Sequence, residues 1–228
     1  MLFLFDIDGT LIRTEGAGIK AFAQAGIDLF GPDFSIENVE FAGRLDPLII
    51  GNDHYNTAMR VNRVEDTSDN RQRLRMGYTE HLTRMLALPG AGRALPGVHE
   101  LLARLRAHEA ATLGLLTGNY QFTGERKLRA CGIDPDQFHV KVWGDHSPHD
   151  PPARDHLVPV GIDRYLTLRG IAVGGHSVVV IGDTPHDVSC ARAGRCRSLG
   201  VATGKYAREQ LISAGADLAV DDLSDVDR

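Results

Sequence analysis

Short apolar runs recur along this chain, and stretches with helical spacing separate them. The first run, Leu2–Phe5, is continuously apolar rather than alternating, which is typical of a strand buried on both faces of a parallel sheet. Strands that alternate with helices need right-handed crossovers, so the pattern predicts an α/β fold with a parallel sheet. The further predicted strands are Thr112–Leu116, Val140–Trp143, Val178–Ile181, Ser198–Val201 and Leu218–Val220.

One connection between predicted strands is too long to hold a single crossover helix. Between the first strand and Thr112 the chain has helical spacing, for example over residues 74–85, but no convincing strand. Because a structureless loop of this size is improbable in a compact domain, the segment is predicted to form a small helical domain. We therefore predict a core of residues 1–13 and 88–228, with a helical insertion at residues 14–87.

The charge balance restricts the class of partner. The 228 residues include 25 Lys and Arg against 30 Asp and Glu, a net charge of −5. This balance argues against nucleic-acid binding, while a small basic pocket for an anionic metabolite stays compatible with it. No apolar run approaches the roughly 20 residues of a membrane span, and the three cysteines lack the spacing of a metal site. We expect a cytoplasmic protein with neither a nucleic-acid nor a membrane partner.

Two aspartates follow the first predicted strand directly. In Asp6-Ile7-Asp8-Gly9-Thr10, strand alternation puts Asp6 and Asp8 on the same side of the chain. At a separation of ~4 Å and an effective dielectric constant of ~20, two such carboxylates repel by about 4 kcal/mol, unless a cation or a proton intervenes. One carboxylate could then bind Mg²⁺ and attack a substrate while the other carries a proton. An exposed Asp-Gly turn is the alternative.

Polar residues also follow two later strands. Thr117-Gly118-Asn119 offers a hydroxyl and backbone N–H groups to a phosphate oxygen, although a simple strand-to-helix turn with an Asn cap fits as well. Asp183 could complete an oxygen-only Mg²⁺ site with Asp6 and Asp8, whereas the helix dipole alone explains Asp187. All three motifs lie at carboxyl ends of predicted strands, where parallel α/β sheets bind ligands. This shared edge favours one functional site over three unrelated turns.

The motifs resemble those of the haloacid-dehalogenase-like (HAD) hydrolase superfamily. Residues Asp6 to Thr10 match its first motif, Thr117 its second, and Gly182-Asp183 with Asp187 its fourth. The resemblance extends over the whole chain and is greatest to the helical-cap, phosphoglycolate-phosphatase-like branch. It implies a Rossmann-like parallel-sheet core with an inserted α-helical cap domain.

The resemblance also implies the chemistry. Asp6 would be the nucleophile that forms an aspartyl-phosphate, and Asp8 the acid and then the base. Mg²⁺ would be held by the Asp6 carboxylate, the Asp8 backbone carbonyl and Asp183, with Asp187 mainly supporting them. The other residues expected at the substrate are Thr117, Gly9, Thr10, Gly118 and Asn119.

This chain departs from the family pattern at the basic residue of the third motif. The family usually has a lysine there, but this chain has no lysine between Lys141 and Lys205. Arg154 is the natural substitute, because a guanidinium can bridge Asp6 and a phosphate oxygen with two hydrogen bonds. Lys127 is the second candidate, although a solvated helix face is the favoured interpretation of that residue.

On the predicted cap, Arg44 is placed to reach a substrate carboxylate, with an ordinary surface arginine as the alternative. The leading hypothesis is a Mg²⁺-dependent phosphomonoester hydrolase that acts on a small phosphorylated metabolite. A sugar phosphomutase of the same superfamily would share nearly all core residues. A receiver-like phospho-acceptor signalling module is the alternative from another class, and the helical insertion argues against it, since a receiver needs no cap.

Overall fold

A computed structural model describes residues 1–51 and 57–225 of the chain. Its strands are β1 Leu2–Phe5, β2 Ile12–Arg13, β3 Arg93–Ala94, β4 Thr112–Leu116, β5 Val140–Val142, β6 Val178–Gly182, β7 Arg197–Val201 and β8 Leu218–Val220. Its α-helices are α1 Ala17–Phe30, α2 Asp46–Ile50, α3 Ala58–Val61, α4 Ser68–Leu86, α5 Val98–Ala107, α6 Gln121–Ala130, α7 Leu157–Arg169, α8 Pro185–Ala193 and α9 Arg208–Ser213.

Within the described residues, six strands form one parallel sheet in the order β5-β4-β1-β6-β7-β8. The predicted parallel α/β class is confirmed. β1 lies between β4 and β6, with Phe5 paired to Leu115 on one side and to Ile181 on the other. The three strands therefore end level, and the residues that follow them emerge at one edge of the sheet.

The two faces of the sheet carry separate hydrophobic layers. Leu2 and Leu4 of β1 pack into one layer, together with residues of α7 and α8. Phe5 packs into the other layer, together with residues of α5 and α6. A strand that sends alternate apolar side chains into two cores needs a continuously apolar sequence, which is the pattern of Leu2–Phe5.

The helices between β2 and β3 have a hydrophobic cluster of their own. Ala21 and Phe22 of α1 pack with Leu74, Tyr78 and Leu82 of α4. The rings of Phe22 and Tyr78 meet edge to face at 5.7 Å between centroids. A separate cluster is what an inserted helical domain requires, and the boundary at residues 14–87 stays a prediction.

The expectation of no strand between β1 and β4 is wrong. Ile12 pairs with Ala94 and Arg13 with Arg93 in an antiparallel ladder. This ladder joins the points where the chain leaves the sheet region and returns to it. A strand of two residues spans a single period of the β pattern, too short for any alternation to show, so the sequence carried no signal for it. No helix in the described part of the chain has the length and apolar character needed to cross a bilayer.

Candidate active site

A cavity of about 730 Å³ opens at the carboxyl edge of the sheet. Asp6 and Asp8 enter it from the end of β1, Thr117 from the end of β4 and Asp183 from the end of β6. The Asp6 amide extends the β1–β6 ladder by donating to the Ile181 carbonyl at 2.9 Å. The sheet register thus brings together the three motifs that the sequence placed at strand ends.

Three carboxylates crowd at the base of this cavity. Oxygens of Asp6, Asp183 and Asp187 lie within 4.8 Å of one another, and all three residues are buried. Burial raises the pKa of Asp6 to about 6 and raises the pKa of Asp183 well above its usual range, since neither has enough water to solvate its charge. The cluster is costly when fully ionised, and a cation would relieve it.

Arg154 supplies one positive charge to the cluster. Its Nη2 lies 3.1 Å from Asp6 Oδ1 and donates to Asp187 Oδ1 at 2.5 Å. Burial acts to lower the pKa of the guanidinium, but Asp187 and Asp6 outweigh it and raise that pKa. Three carboxylates and one guanidinium leave two negative charges in excess. That excess and the all-oxygen donor set fit a divalent hard cation such as Mg²⁺.

Asp187 has both oxygens engaged. Oδ1 accepts from Arg154, and Oδ2 accepts from the Thr184 amide at 3.0 Å and the Thr184 hydroxyl at 2.7 Å. The bond from the Thr184 amide is one half of the N-terminal capping box of α8, and in the other half the Asp187 amide donates to the Thr184 hydroxyl oxygen. Asp187 is well placed to hold Arg154, and its part in metal binding stays a prediction.

Asp8 differs from Asp6 in its surroundings. Its side chain is 42% exposed, and Oδ2 accepts from Lys127 Nζ at 2.7 Å and from Asn119 Nδ2 at 2.8 Å. Lys127 is only 5% exposed, so the interpretation of a solvated helix face is wrong. Burial acts to lower the pKa of Lys127, but Asp8, Tyr78 and Asp46 together outweigh it and raise that pKa.

The loop after β4 is closely packed against the helical segment. The Thr117 hydroxyl accepts from Asn119 Nδ2 at 2.9 Å, and the Gly118 carbonyl accepts from the Asp46 amide at 2.7 Å. A Cβ on Gly118 would lie 2.1 Å from the Arg44 carbonyl oxygen, so this position has no room for a side chain.

The loop after β1 supports Asp183. Gly9 has φ +80°, and a Cβ there would lie 2.5 Å from Asp183 Oδ2. The Thr10 hydroxyl donates to Asp183 Oδ1 at 3.2 Å. Gly9 and Thr10 thus hold a neighbouring acid in place, and their contacts with substrate stay predictions.

Two residues of the helical segment line the cavity from above. Arg44 lines it while paired with Glu40 at 2.5 Å, and its reach to a substrate carboxylate stays a prediction. Asp46 was missed by sequence reasoning. Its Oδ2 accepts from the Tyr120 amide at 2.9 Å, and burial raises its pKa to about 6. A lone acid at the start of a short helix carries no sequence signal of burial.

Comparison with known proteins identifies the family. The model of haloacid dehalogenase-like hydrolases matches residues 3–192. The chain belongs to this family. A second model, described as HAD-hydrolase-like, matches residues 160–226. The family predicted from the motifs is confirmed, and with it the predicted α/β core and the hydrolase class.

Several relatives resemble nearly the whole chain. The probable phosphatase IndB of Dickeya dadantii is 26% identical over 235 residues, covering 99% of this chain and 91% of that protein. Pyrophosphatase PpaX of Listeria innocua is 25% identical, covering 98% and 93%. A phosphoglycolate phosphatase of Pectobacterium atrosepticum is 24% identical, covering 97% and 88%. These names agree with the predicted phosphoglycolate-phosphatase-like branch and with a phosphatase as the enzyme class.

A solved structure has the same fold over nearly the full length. A hydrolase from Pseudomonas syringae superposes with a TM-score of 0.75 at 23% identity, covering 98% of this chain and 94% of that one. At this identity the likeness concerns the fold.

Proposed function

We propose that this protein is a Mg²⁺-dependent phosphomonoester hydrolase that acts on a small phosphorylated metabolite in the cytoplasm. The observation that carries the proposal is the pair of contrasting aspartates after β1. Asp6 is buried beside Arg154 and Asp183, while Asp8 has a half-exposed side chain at the wall of the cavity. A nucleophile and a proton carrier need these two different environments.

The reaction has two balanced steps. In the first, an Asp6 oxygen attacks phosphorus, the bond to the leaving oxygen breaks, and Asp8 gives that oxygen a proton. In the second, water attacks the aspartyl-phosphate, its proton passes to Asp8, and the bond between phosphorus and the Asp6 oxygen breaks. Inorganic phosphate leaves, and the Asp6 carboxylate is restored.

The remaining residues bind and screen the phosphoryl group. Thr117 and the backbone N–H groups near Gly118 and Asn119 would donate to its oxygens, and Arg154 would keep Asp6 oriented. Asp6, Asp183 and the Asp8 carbonyl would hold Mg²⁺, which when bound neutralises the charge of phosphate beside carboxylate. Arg44 at the cavity wall is proposed to contact the leaving group.

The test is turnover of 4-nitrophenyl phosphate. We expect steady release of 4-nitrophenolate with Mg²⁺, loss of that activity in EDTA, and recovery when Mg²⁺ is added in excess. Labelling of the protein without continued release would instead indicate a phospho-acceptor module. Conversion of a sugar phosphate to an isomer without release of phosphate would indicate a phosphomutase.

The substrate class is tested by a screen. Phosphoglycolate, sugar phosphates, nucleoside monophosphates and pyrophosphate should be compared at equal concentration, with release of inorganic phosphate as the measurement. We expect the highest kcat/KM with a small monoester. Preference for pyrophosphate would contradict the proposed substrate class but not the proposed nucleophile.

A further inference from the structure

We propose that Lys127 is a positioning residue that, together with Asn119, holds the Asp8 carboxylate ready to accept the proton of the attacking water. This inference rests on the proposed function and adds a residue to it. Lys127 lies on α6, after the second motif, and the sequence offered it only as the second candidate, behind Arg154, for the basic residue of the third family motif. Its assignment comes from the contacts of its ammonium group.

The three side chains form a closed set of hydrogen bonds. Lys127 Nζ donates to Asp8 Oδ2 and to Asn119 Oδ1, both at 2.7 Å. Asn119 Nδ2 donates to the same Asp8 oxygen at 2.8 Å and to the Thr117 hydroxyl at 2.9 Å. Two donors on one oxygen fix both the position and the rotation of a carboxylate, which a single donor does not.

The hydrogen bonds from Lys127 and Asn119 engage Asp8 Oδ2, so Oδ1 is the oxygen that can exchange a proton with a substrate or a water molecule. Within residues 1–51 and 57–225, the hydrogen bonds that the Asp8 side chain accepts fall on Oδ2, and this side chain is 42% exposed at a residue that lines the cavity. The anchored oxygen is thus the one next to the buried ammonium, and the other remains accessible to a substrate or a water molecule.

Lys127 is held on its other side by the helical segment. A Cβ on Gly18 of α1 would lie 3.5 Å from Lys127 Nζ and 3.7 Å from the Tyr78 hydroxyl of α4. The Tyr78 hydroxyl and the Lys127 ammonium therefore face the same space beside Gly18. Lys127 is therefore enclosed by Asp8, Asn119 and Tyr78. This enclosure favours a role in holding Asp8 over direct binding of the phosphoryl group.

The two steps of the reaction depend differently on Asp8. The leaving group of 4-nitrophenyl phosphate is stable as an anion, so its departure needs no proton from Asp8. Hydrolysis of the aspartyl-phosphate does need Asp8, because the attacking water must lose a proton to it. With this substrate kcat/KM reports the first step, whereas kcat includes the second. A residue that positions Asp8 should therefore affect kcat and leave kcat/KM nearly unchanged.

The experiment compares Lys127→Met with the wild type and with a matched control, Lys141→Met. Lys141 lies on β5 and pairs with Asp136 away from the cavity. For Lys127→Met we expect kcat to fall about 100-fold, with KM falling in parallel, because general base catalysis contributes roughly 10²–10⁴-fold. Rapid mixing should reveal a burst of 4-nitrophenolate equal to the enzyme concentration. The control should behave as the wild type.

Asn119→Ala provides a second variant that leaves no new buried charge. It should give the same parallel fall of kcat and KM, smaller in size, and the same burst. The burst amplitude counts the folded, phosphorylated enzyme, so a loss of folded protein is not mistaken for slow hydrolysis.

Three outcomes would overturn the inference. An equal fall of kcat and kcat/KM without a burst would mean that Lys127 serves the first step, as a phosphate-binding residue does. Unchanged kcat in both variants would mean that the ion pair is structural only. A wild type that releases no 4-nitrophenolate would overturn the proposed function, and this inference with it.

Discussion

Asp6 is 6% exposed, and its carboxylate shares a small volume with Asp183 and Asp187. Replacing it with Asn keeps the shape and removes both the nucleophilic oxygen and one of three crowded charges. Turnover of 4-nitrophenyl phosphate by Asp6→Asn should fall by at least about 10⁴-fold. In EDTA its thermal midpoint should equal or exceed that of the wild type, because repulsion in the cluster is relieved. Near-normal turnover would contradict the nucleophile assignment.

Asp46 offers a pH dependence away from the cluster. Burial raises its pKa from an ordinary value of 3.8 to about 6, so the folded protein binds the proton more tightly than the unfolded chain does. The free energy of unfolding should therefore decrease as pH rises from about 4 through 6, by at most about 3 kcal/mol. Asp46→Asn can still accept from the Tyr120 amide and should flatten this slope.

Denaturant unfolding of both proteins at pH 5 and pH 7, in EDTA, measures the effect. The difference in unfolding free energy between Asp46→Asn and the wild type should be larger at pH 7. An identical difference at both pH values would show that Asp46 has an ordinary pKa.

At the scale of elements, the accuracy of a predicted strand boundary depends on how sharply the apolar run ends. β1, β4 and β8 have the predicted bounds, because each run ends sharply at polar or small residues. β5 ends at Val142 rather than Trp143, since Trp143 turns into the layer that packs against α6. A core that needs a large side chain outside the strand is a tertiary requirement, and apolar runs do not register it.

The loop after β4 and the segment that contains Arg44 approach too closely for any side chain at Gly118. A Cβ there would meet the Arg44 carbonyl oxygen at 2.1 Å, and backbone cannot yield as a flexible side chain can. Gly118→Ala should destabilise the protein by about 1–3 kcal/mol, as overpacking does, and should raise KM by displacing the cavity wall.

The matched control is Gly174→Ala. Gly174 has φ −77°, and a Cβ there would have no heavy atom within 4 Å. Its thermal midpoint and KM should stay close to those of the wild type. If Gly118→Ala behaved like this control, the contact between the two segments would not be a close one.

At the scale of the whole molecule, the site depends on contacts between segments far apart in sequence. Asp6, Thr117 and Asp183 could be grouped from sequence, because parallel strands end at one edge. The burial of Lys127 could not, since α6 is polar along most of its length and its packing against Asp8 depends on the fold. Arg154 was identified through the family pattern, and its bridge to Gly43 of the helical segment, at 3.2 Å, is visible only in three dimensions.

The last prediction concerns the divalent cation and the stability of the whole protein. The cluster of Asp6, Asp183, Asp187 and Arg154 carries two excess negative charges, so a cation that binds only the folded state stabilises it. Mg²⁺ at 100 times its dissociation constant should add about 2.7 kcal/mol. For a chain of this size that corresponds to a rise of roughly 5–10 °C in thermal midpoint.

Asp183→Asn should abolish the rise. Asp187→Asn should lower the midpoint in EDTA, because Arg154 and Thr184 lose an acceptor, yet keep most of the rise. A full Mg²⁺-dependent rise in Asp183→Asn would show that the cation binds elsewhere, whereas its loss in Asp187→Asn would make Asp187 a direct ligand.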